Sequence, residues 1–361
     1  MWKVTGRGHL RTQRGFTVVE VMLASALSVA LLVGIIQIFM GSKNTYQVIE
    51  EMSRLQENGR FALDYLARDT RMAGYRGCST MEDNLVNTLN DASSVLYNFQ
   101  VGIEGYDDIA TVPAELQAAG VAPLPGTDVL IVRGVFSPPV RLVDNNNGGQ
   151  FFAELKSNRP NACSDGTDMI SDICRGDILL VTDCLKSRVF QATGVTEVSG
   201  DRVNIRHVAS GNPGNAIASW GGQSAPDEER FQPGAEIVKV GTRLFFVGDN
   251  NGVPTLFVRF ESGAPVPLVD NVEDLQVLYG RDVTATGVRL ETDEYVTASV
   301  ASADWDAVVS VRISLLLRTG SDFLALQSQS LLFGGATLNP TDRRLRRAFT
   351  SVVTLRNRAL F

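Results

Sequence analysis

The chain is poor in histidine and cysteine, and it has no proline before Pro113. Its two histidines, His9 and His207, leave little material for a zinc site or a general base, and nothing pairs His207 with a nucleophile in a recognisable motif. The run Val203-Asn-Ile-Arg-His207 instead gives His207 the look of a strand-end or core residue. A Gly-rich phosphate loop and a Gly-x-Ser-x-Gly elbow are both missing, which removes the commonest nucleotide and hydrolase signatures. Acidic residues are missing from the first nineteen positions, and charge of either sign is missing from Val21 to Met40.

That last pair of absences frames what is present. Lys3, Arg7, Arg11 and Arg14 form a basic leader ending at Gly15, and a hydrophobic run begins at Phe16, interrupted only by Glu20. As a helix the uncharged run spans roughly 30 Å, enough for a hydrocarbon core. The positive-inside rule keeps the leader in the cytoplasm and sends the rest of the chain across. A secretory signal peptide has a shorter apolar stretch followed by its small-residue cleavage site. Here the small residue, Gly15, precedes the apolar run, so cutting after it would leave the membrane helix on the mature protein. A plain signal anchor with Glu20 snorkelling to the headgroups is the simpler alternative, although a carboxylate inside a membrane helix is costly and usually functional.

Arg14-Gly-Phe-Thr-Val-Val-Glu20 and the run after it resemble the N-terminus of type IV prepilins. The resemblance implies that a dedicated prepilin peptidase cuts after Gly15 and methylates the new N-terminus, Phe16. It also implies that Glu20, at the fifth position after the cut, neutralises the N-terminal amine of a neighbouring subunit. Cleavage would remove four positive charges and no negative ones, taking the formal charge from −7 to −11, which argues against general affinity for nucleic acid. Gln37 stands where many major pilins carry a proline, so no proline break of the membrane helix is encoded.

The helical signal continues past the apolar run. Glu50/Arg54, Arg60/Asp64 and Asp64/Arg68 are spaced i, i+4, and Ile49, Met52, Leu55, Ala62, Leu63, Leu66 and Ala73 can form an apolar stripe. Gly59 weakens that helix slightly, Gly74 and Gly77 supply a stop, and Asp64, Arg68 and Asp69 are expected on a solvated face. Residues 55–78 resemble the same region of PilW-type minor pilins, as do 176–184, 187–195, 268–282, 306–319 and 346–360. Strands are expected at 128–135, 177–181, 189–195, 202–207, 236–240, 243–247, 255–260, 308–317 and 348–355. Turns are expected at 147–148, 248–249 and 251–252, a helix or irregular loops at 79–125, and surface loops at 208–233 and 281–305.

Cys78, Cys163, Cys174 and Cys184 all follow the apolar run, an even number in an oxidising compartment, and three pairings are open. The expectation is a local Cys163–Cys174 loop, worth roughly 3 kcal/mol on the chain-entropy model. The family resemblance implies Cys78–Cys184, from helix end to sheet. Zinc would need shorter spacings than those separating 163, 174 and 184. Asp144–Gly148 and Asp249–Gly252 offer oxygen ligands but complete no calcium loop, and Asx turns explain both. Arginines 343, 344, 346, 347, 356 and 358 could line a DNA-binding stripe, but with only Phe349 and Phe361 nearby they fit a terminal strand better.

The reading is therefore an α+β protein: a leader (1–15), a membrane and filament-core helix (16–40), the periplasmic half of the same helix (41–77) and a large antiparallel β-rich head (78–361). The resemblance implies a non-catalytic minor pilin, anchored in the inner membrane with a periplasmic head and incorporated into the pilus. It would prime or cap the filament, with no metal or cofactor. Its partners would be other minor pilins, the major pilin, the prepilin peptidase, inner-membrane lipid and the assembly platform, and no nucleic acid. The alternatives are a minor pseudopilin of type II secretion and a pilus-tip adhesin.

Overall fold

A computed structural model describes residues 15–77, 85–156, 163, 165–222, 225–227, 229–261, 263–284 and 291–357. The chain divides into one unit ending at Ser53 and a second beginning at Arg54. In the first, α1 (Val18–Arg71) carries an 18-residue window of mean hydropathy 2.4, with none of that window buried. One helix is thus long and apolar enough to cross a membrane. The hydroxyls of Ser25 and Ser28 donate to the carbonyls of Met22 and Ala24, so neither needs a solvent partner.

In the second unit α1 turns a narrow face inward. Leu55, Gly59, Ala62 and Leu66 recur every three or four residues and are buried, while Leu63 is half-buried. Ile49, expected on this stripe, is 61% exposed. The helix ends at Arg71, and Gly74 follows at φ +71, donating its N–H to Arg133 O at 2.8 Å. A left-handed residue at such a stop costs glycine nothing.

In chain order the first strands are β1 (Leu85–Asn87), β2 (Ile103–Tyr106), β3 (Val129–Val135), β4 (Val140–Asn147), β5 (Gln150–Glu154), β6 (Ile178–Thr182), β7 (Ser187–Gln191), β8 (Gly194–Val198) and β9 (Arg202–Arg206). They are followed by β10 (Glu236–Asn250), β11 (Val253–Phe260), β12 (Val266–Asp270), β13 (Val272–Arg281), β14 (Glu294–Val296), β15 (Val308–Arg318), β16 (Leu331–Phe333), β17 (Ala336–Leu338) and β18 (Arg346–Thr354). Short helices α2 (Ala114–Ala118) and α3 (Ala298–Ala301) lie between them. All described pairings of these strands are antiparallel except β1 with β7.

The 15-residue strand β10 organises the head. Its first residues pair with β6 and β4, and from Val240 onward it pairs with β3 and then β11. Two expected strands, 236–240 and 243–247, are therefore one. The sheet continues through β5, β9 and β8 on one side and through β2 and β12 on the other. A separate four-stranded sheet has the order β14-β13-β15-β18, and β16 pairs with β17. The main core lies between α1, β3, β10–β13 and this second sheet, gathering Leu66, Phe245, Leu275, Ile313 and Val353. A second core, around Phe151, Phe190 and Trp220, fills the β4–β9 region.

Other expectations are corrected. The run at 189–195 is two strands, because Ala192 and Thr193 leave the ladder between β7 and β8. The β4–β5 turn falls on Gly148–Gly149, since Asn147 pairs with Gln150. Asp249 lies within β10, where its carboxylate accepts the Gly252 N–H at 2.9 Å across the Asn251–Gly252 turn. Segment 208–233 is not merely a surface loop, because it sends Asn215, Trp220 and Phe231 into the interior. Segment 281–305 holds β14 and α3, with 285–290 outside the described residues.

Candidate assembly site

Gly15, Phe16 and Glu20 lie in the first unit. Among the described residues no atom would meet a Cβ on Gly15 within 4 Å, and the Phe16 side chain is 87% exposed, so the peptide between them is open. Thr17 caps α1. Its hydroxyl accepts the Glu20 N–H at 3.2 Å, and the Glu20 carboxylate accepts the Thr17 N–H at 2.9 Å and hydroxyl at 3.0 Å. The reciprocal pattern is a capping box, Thr-x-x-Glu, at the helix start. It holds the carboxylate at the positive end of the helix dipole, four residues from Phe16, whose amine a cut after Gly15 would create. The spacing that carries the prepilin resemblance thus also encodes a helix cap, which the sequence reading missed although Thr17 and Glu20 were both in view.

The second unit contains a seam that fastens α1 to the sheets. A Cβ on Gly59 would come within 2.6 Å of the Phe349 ring of β18, so only glycine admits that ring. Asp69, expected on a solvated face, is buried and forms an ion pair with Arg243 of β10. The Arg243 guanidinium lies 4.2 Å from the Phe136 ring centroid and 5.4 Å from that of Phe260, a cation between two aromatic faces. At the helix end Asn357 Nδ2 donates to Ala73 O, and Arg356 N donates to Arg71 O.

Cys163 and Cys174 form a disulfide with Cα atoms 5.7 Å apart. Cys184, in the β6–β7 turn, is also disulfide-bonded. Cys78, the partner expected for it, lies outside the described residues. His207 is completely buried among Phe151, Phe190 and Trp220, its ring centroid 4.2 Å from that of Trp220. Burial there pushes its pKa down to about 4. Among the described residues no three His, Cys, Asp or Glu side chains are placed to hold a metal.

The arginine-rich end is largely occupied within the head. Arg346 is bidentate to Glu273 and to Asp342, and Arg318 joins the same Glu273 at 3.0 Å. Those bonds hold Asp342 down at about 2. Arg344 donates to the carbonyls of Thr319 and Gly320, while Arg343 lies over Phe323 and Arg347 over Phe349. Arg358 lies outside the described residues.

The family model described as type IV pilus-assembly protein W matches residues 244–357, from within β10 to just beyond β18. That is 114 of 361 residues, about a third of the chain. No curated protein matches it. Among solved structures, a type IV-like pilin from Thermus thermophilus is similar at 12% identity and a TM-score of 0.32, over 85% of this chain and 98% of that one.

Proposed function

We propose that the chain is a minor pilin that works by assembling, with a head that carries no catalysis. The observation that carries this reading is the union of two independent signals in one chain. The C-terminal third matches the pilus-assembly family, and the N-terminus presents an open Gly15–Phe16 peptide followed at once by a capped helix that carries no charge from Val21 to Met40. Prepilin peptidase frees and methylates Phe16, and the subunit stays in the inner membrane with its head in the periplasm. Its apolar helix then packs beside those of other minor pilins and the major pilin on the assembly platform, priming or capping the filament. Glu20 exchanges its Thr17 cap for the amine of a neighbour, an opposite-charge pair that low dielectric strengthens.

Mass spectrometry of the mature N-terminus, in cells with and without the peptidase, tests this directly. The expected species begins at N-methyl-Phe16 only when the peptidase is present. A chain retaining residues 1–15 in both strains is an ordinary signal anchor, and the role of Glu20 falls with it. Type II secretion is the second reading. The pilus-assembly match favours the pilus, and deletion should abolish surface pili while secretion continues.

A further inference from the structure

The four-stranded sheet ends at β18, and the register fixes which side of that strand is open. Thr319 N donates to Leu345 O and Leu355 N to Val309 O, one pair beyond each end of the β15–β18 ladder. Between them the register is unbroken, from Arg318 opposite Arg346 to Ser310 opposite Thr354. Hydrogen-bonded pairs alternate along an antiparallel ladder, so residues 347, 349, 351 and 353 give their N–H and C=O groups to β15. Residues 346, 348, 350, 352 and 354 point theirs away. The 3.0 Å contact between the Ser314 and Thr350 hydroxyls belongs to a close, non-hydrogen-bonded pair and agrees with this assignment. Arg346 N is closed off by Gln329 Oε1. Ala348, Thr350, Val352 and Thr354 are exposed, and among the described residues their outward N–H and C=O groups have no hydrogen-bond partner.

A bare edge is a template for another chain, and the other strands that end a sheet in this head are guarded. Strands β1 and β14 have three residues each and β2 four. Strand β8 carries the exposed Glu197, and β12 has Pro267 and a shifted register against β11. Strand β18 has nine residues, and its run Ala348–Thr354 holds no charge, proline or glycine. Exposed cations flank that run, Arg347 before it and Arg356 after it.

We propose that β18 is a docking edge, extended by a strand of a different polypeptide whose middle is uncharged and whose ends are acidic. A row of outward amides and carbonyls calls for an extended backbone, because a helix has its own backbone groups already paired. Arg347 and Arg356 select the ends, since opposite charges across a strand pair attract and like charges repel. A second copy of β18 would bring arginines to those ends instead of carboxylates. The docking edge goes beyond the assembling helix to the head, and it stands whether or not the chain is cut after Gly15.

The test uses the full chain in detergent micelles and two synthetic peptides, Glu-Thr-Val-Thr-Val-Thr-Glu and the same sequence with lysine at both ends. Residue-resolved hydrogen exchange should show amides 348, 350, 352 and 354 exchanging fast and 349, 351 and 353 slowly. The acidic peptide should slow the first set about tenfold or more, and the lysine peptide should bind more weakly. Each backbone bond lost lowers affinity roughly two- to tenfold. Val352→Pro removes an outward N–H and leaves the ladder to β15 whole, because proline is tolerated on the open side of an edge strand. It should keep the parent's denaturant midpoint and weaken peptide binding about tenfold. Ser351→Pro, which removes a bond to β15, should lower the midpoint instead. If Val352→Pro also lowers it, the exchange pattern of the parent decides. Equal binding of the two peptides, no protection of the even-numbered amides by either, or undiminished binding by a stably folded Val352→Pro overturns the proposal. So does protection that grows with protein concentration in the absence of peptide, which assigns the edge to a second copy.

Discussion

His207 follows β9 directly, and within the aromatic cluster its two ring nitrogens have no hydrogen-bond partner among the described residues. The imidazole is tolerated there because it is neutral, with a pKa near 4 instead of the usual 6.5. An unfolded chain takes up the proton at its ordinary pKa, so this residue's contribution is present above pH 6.5 and is lost as pH falls toward 4. Between pH 7 and 4.5 the loss amounts to about 2–3 kcal/mol. Asp128 and Glu261 act in the opposite sense, because burial raises both carboxyls to about 7. Their contributions are present at low pH and are lost as pH rises through 7. The curve of the whole protein is therefore a composite, and a difference isolates the histidine. His207→Phe should become more stable relative to the parent by about 2–3 kcal/mol when urea unfolding is moved from pH 7 to pH 4.5. Parallel pH curves for the two proteins would mean that the buried imidazole is not the source.

Gly59 and β18 carry the argument at the scale of elements. Alanine at an exposed mid-helix position gains about 1 kcal/mol over glycine. Here the added methyl would strike the Phe349 ring, and overpacking of that kind costs roughly 1–3 kcal/mol. Gly59→Ala should therefore destabilise the head, whereas in a Phe349→Ala background the same change should stabilise it. Equal effects in both backgrounds, read from a double-mutant cycle in denaturant, would remove the close approach as the cause. The same residue shows where sequence reading stops. The helix, its buried stripe, its glycine stop and most long strands were legible, because each repeats a local period that packing reinforces. Gly59 read as a mild weakness since its partner lies 290 positions away (349 − 59). Strands β1, β2, β14, β16 and β17 have three or four residues each, too short for an alternation to register. Trp220 and Phe231 sat inside a Gly- and Ser-rich stretch whose composition hid two core anchors. The arginine cluster showed its charge but not its partners, because Glu273 lies on another strand.

At the scale of the whole molecule the problem is mechanical, since under the proposed function a subunit held in a filament by α1 must carry its head with it. From Arg54 onward, load passes from helix to sheets through the apolar face, the Gly59–Phe349 approach, the bonds to Arg71 and Ala73 and the Asp69–Arg243 pair. The last of these differs in kind, being an ion pair with a 7% exposed carboxylate. Breaking a buried pair from one side leaves the other charge without compensation and costs about 3–5 kcal/mol. Arg243 is 20% exposed and keeps its two aromatic neighbours, so the lower end of that range applies. Asp69→Asn should thus cost about 3 kcal/mol, and adding Arg243→Met, which removes the stranded cation, should recover part of the loss. Hydrogen exchange locates the effect. In Asp69→Asn the amides of residues 60–71 should exchange faster than those of β13 and β15, because the helix now opens from the sheets before the sheets open from each other. If helix and sheet amides instead lose protection equally, Asp69 supports the head as a whole, and the coupling of helix to head rests on the apolar face alone.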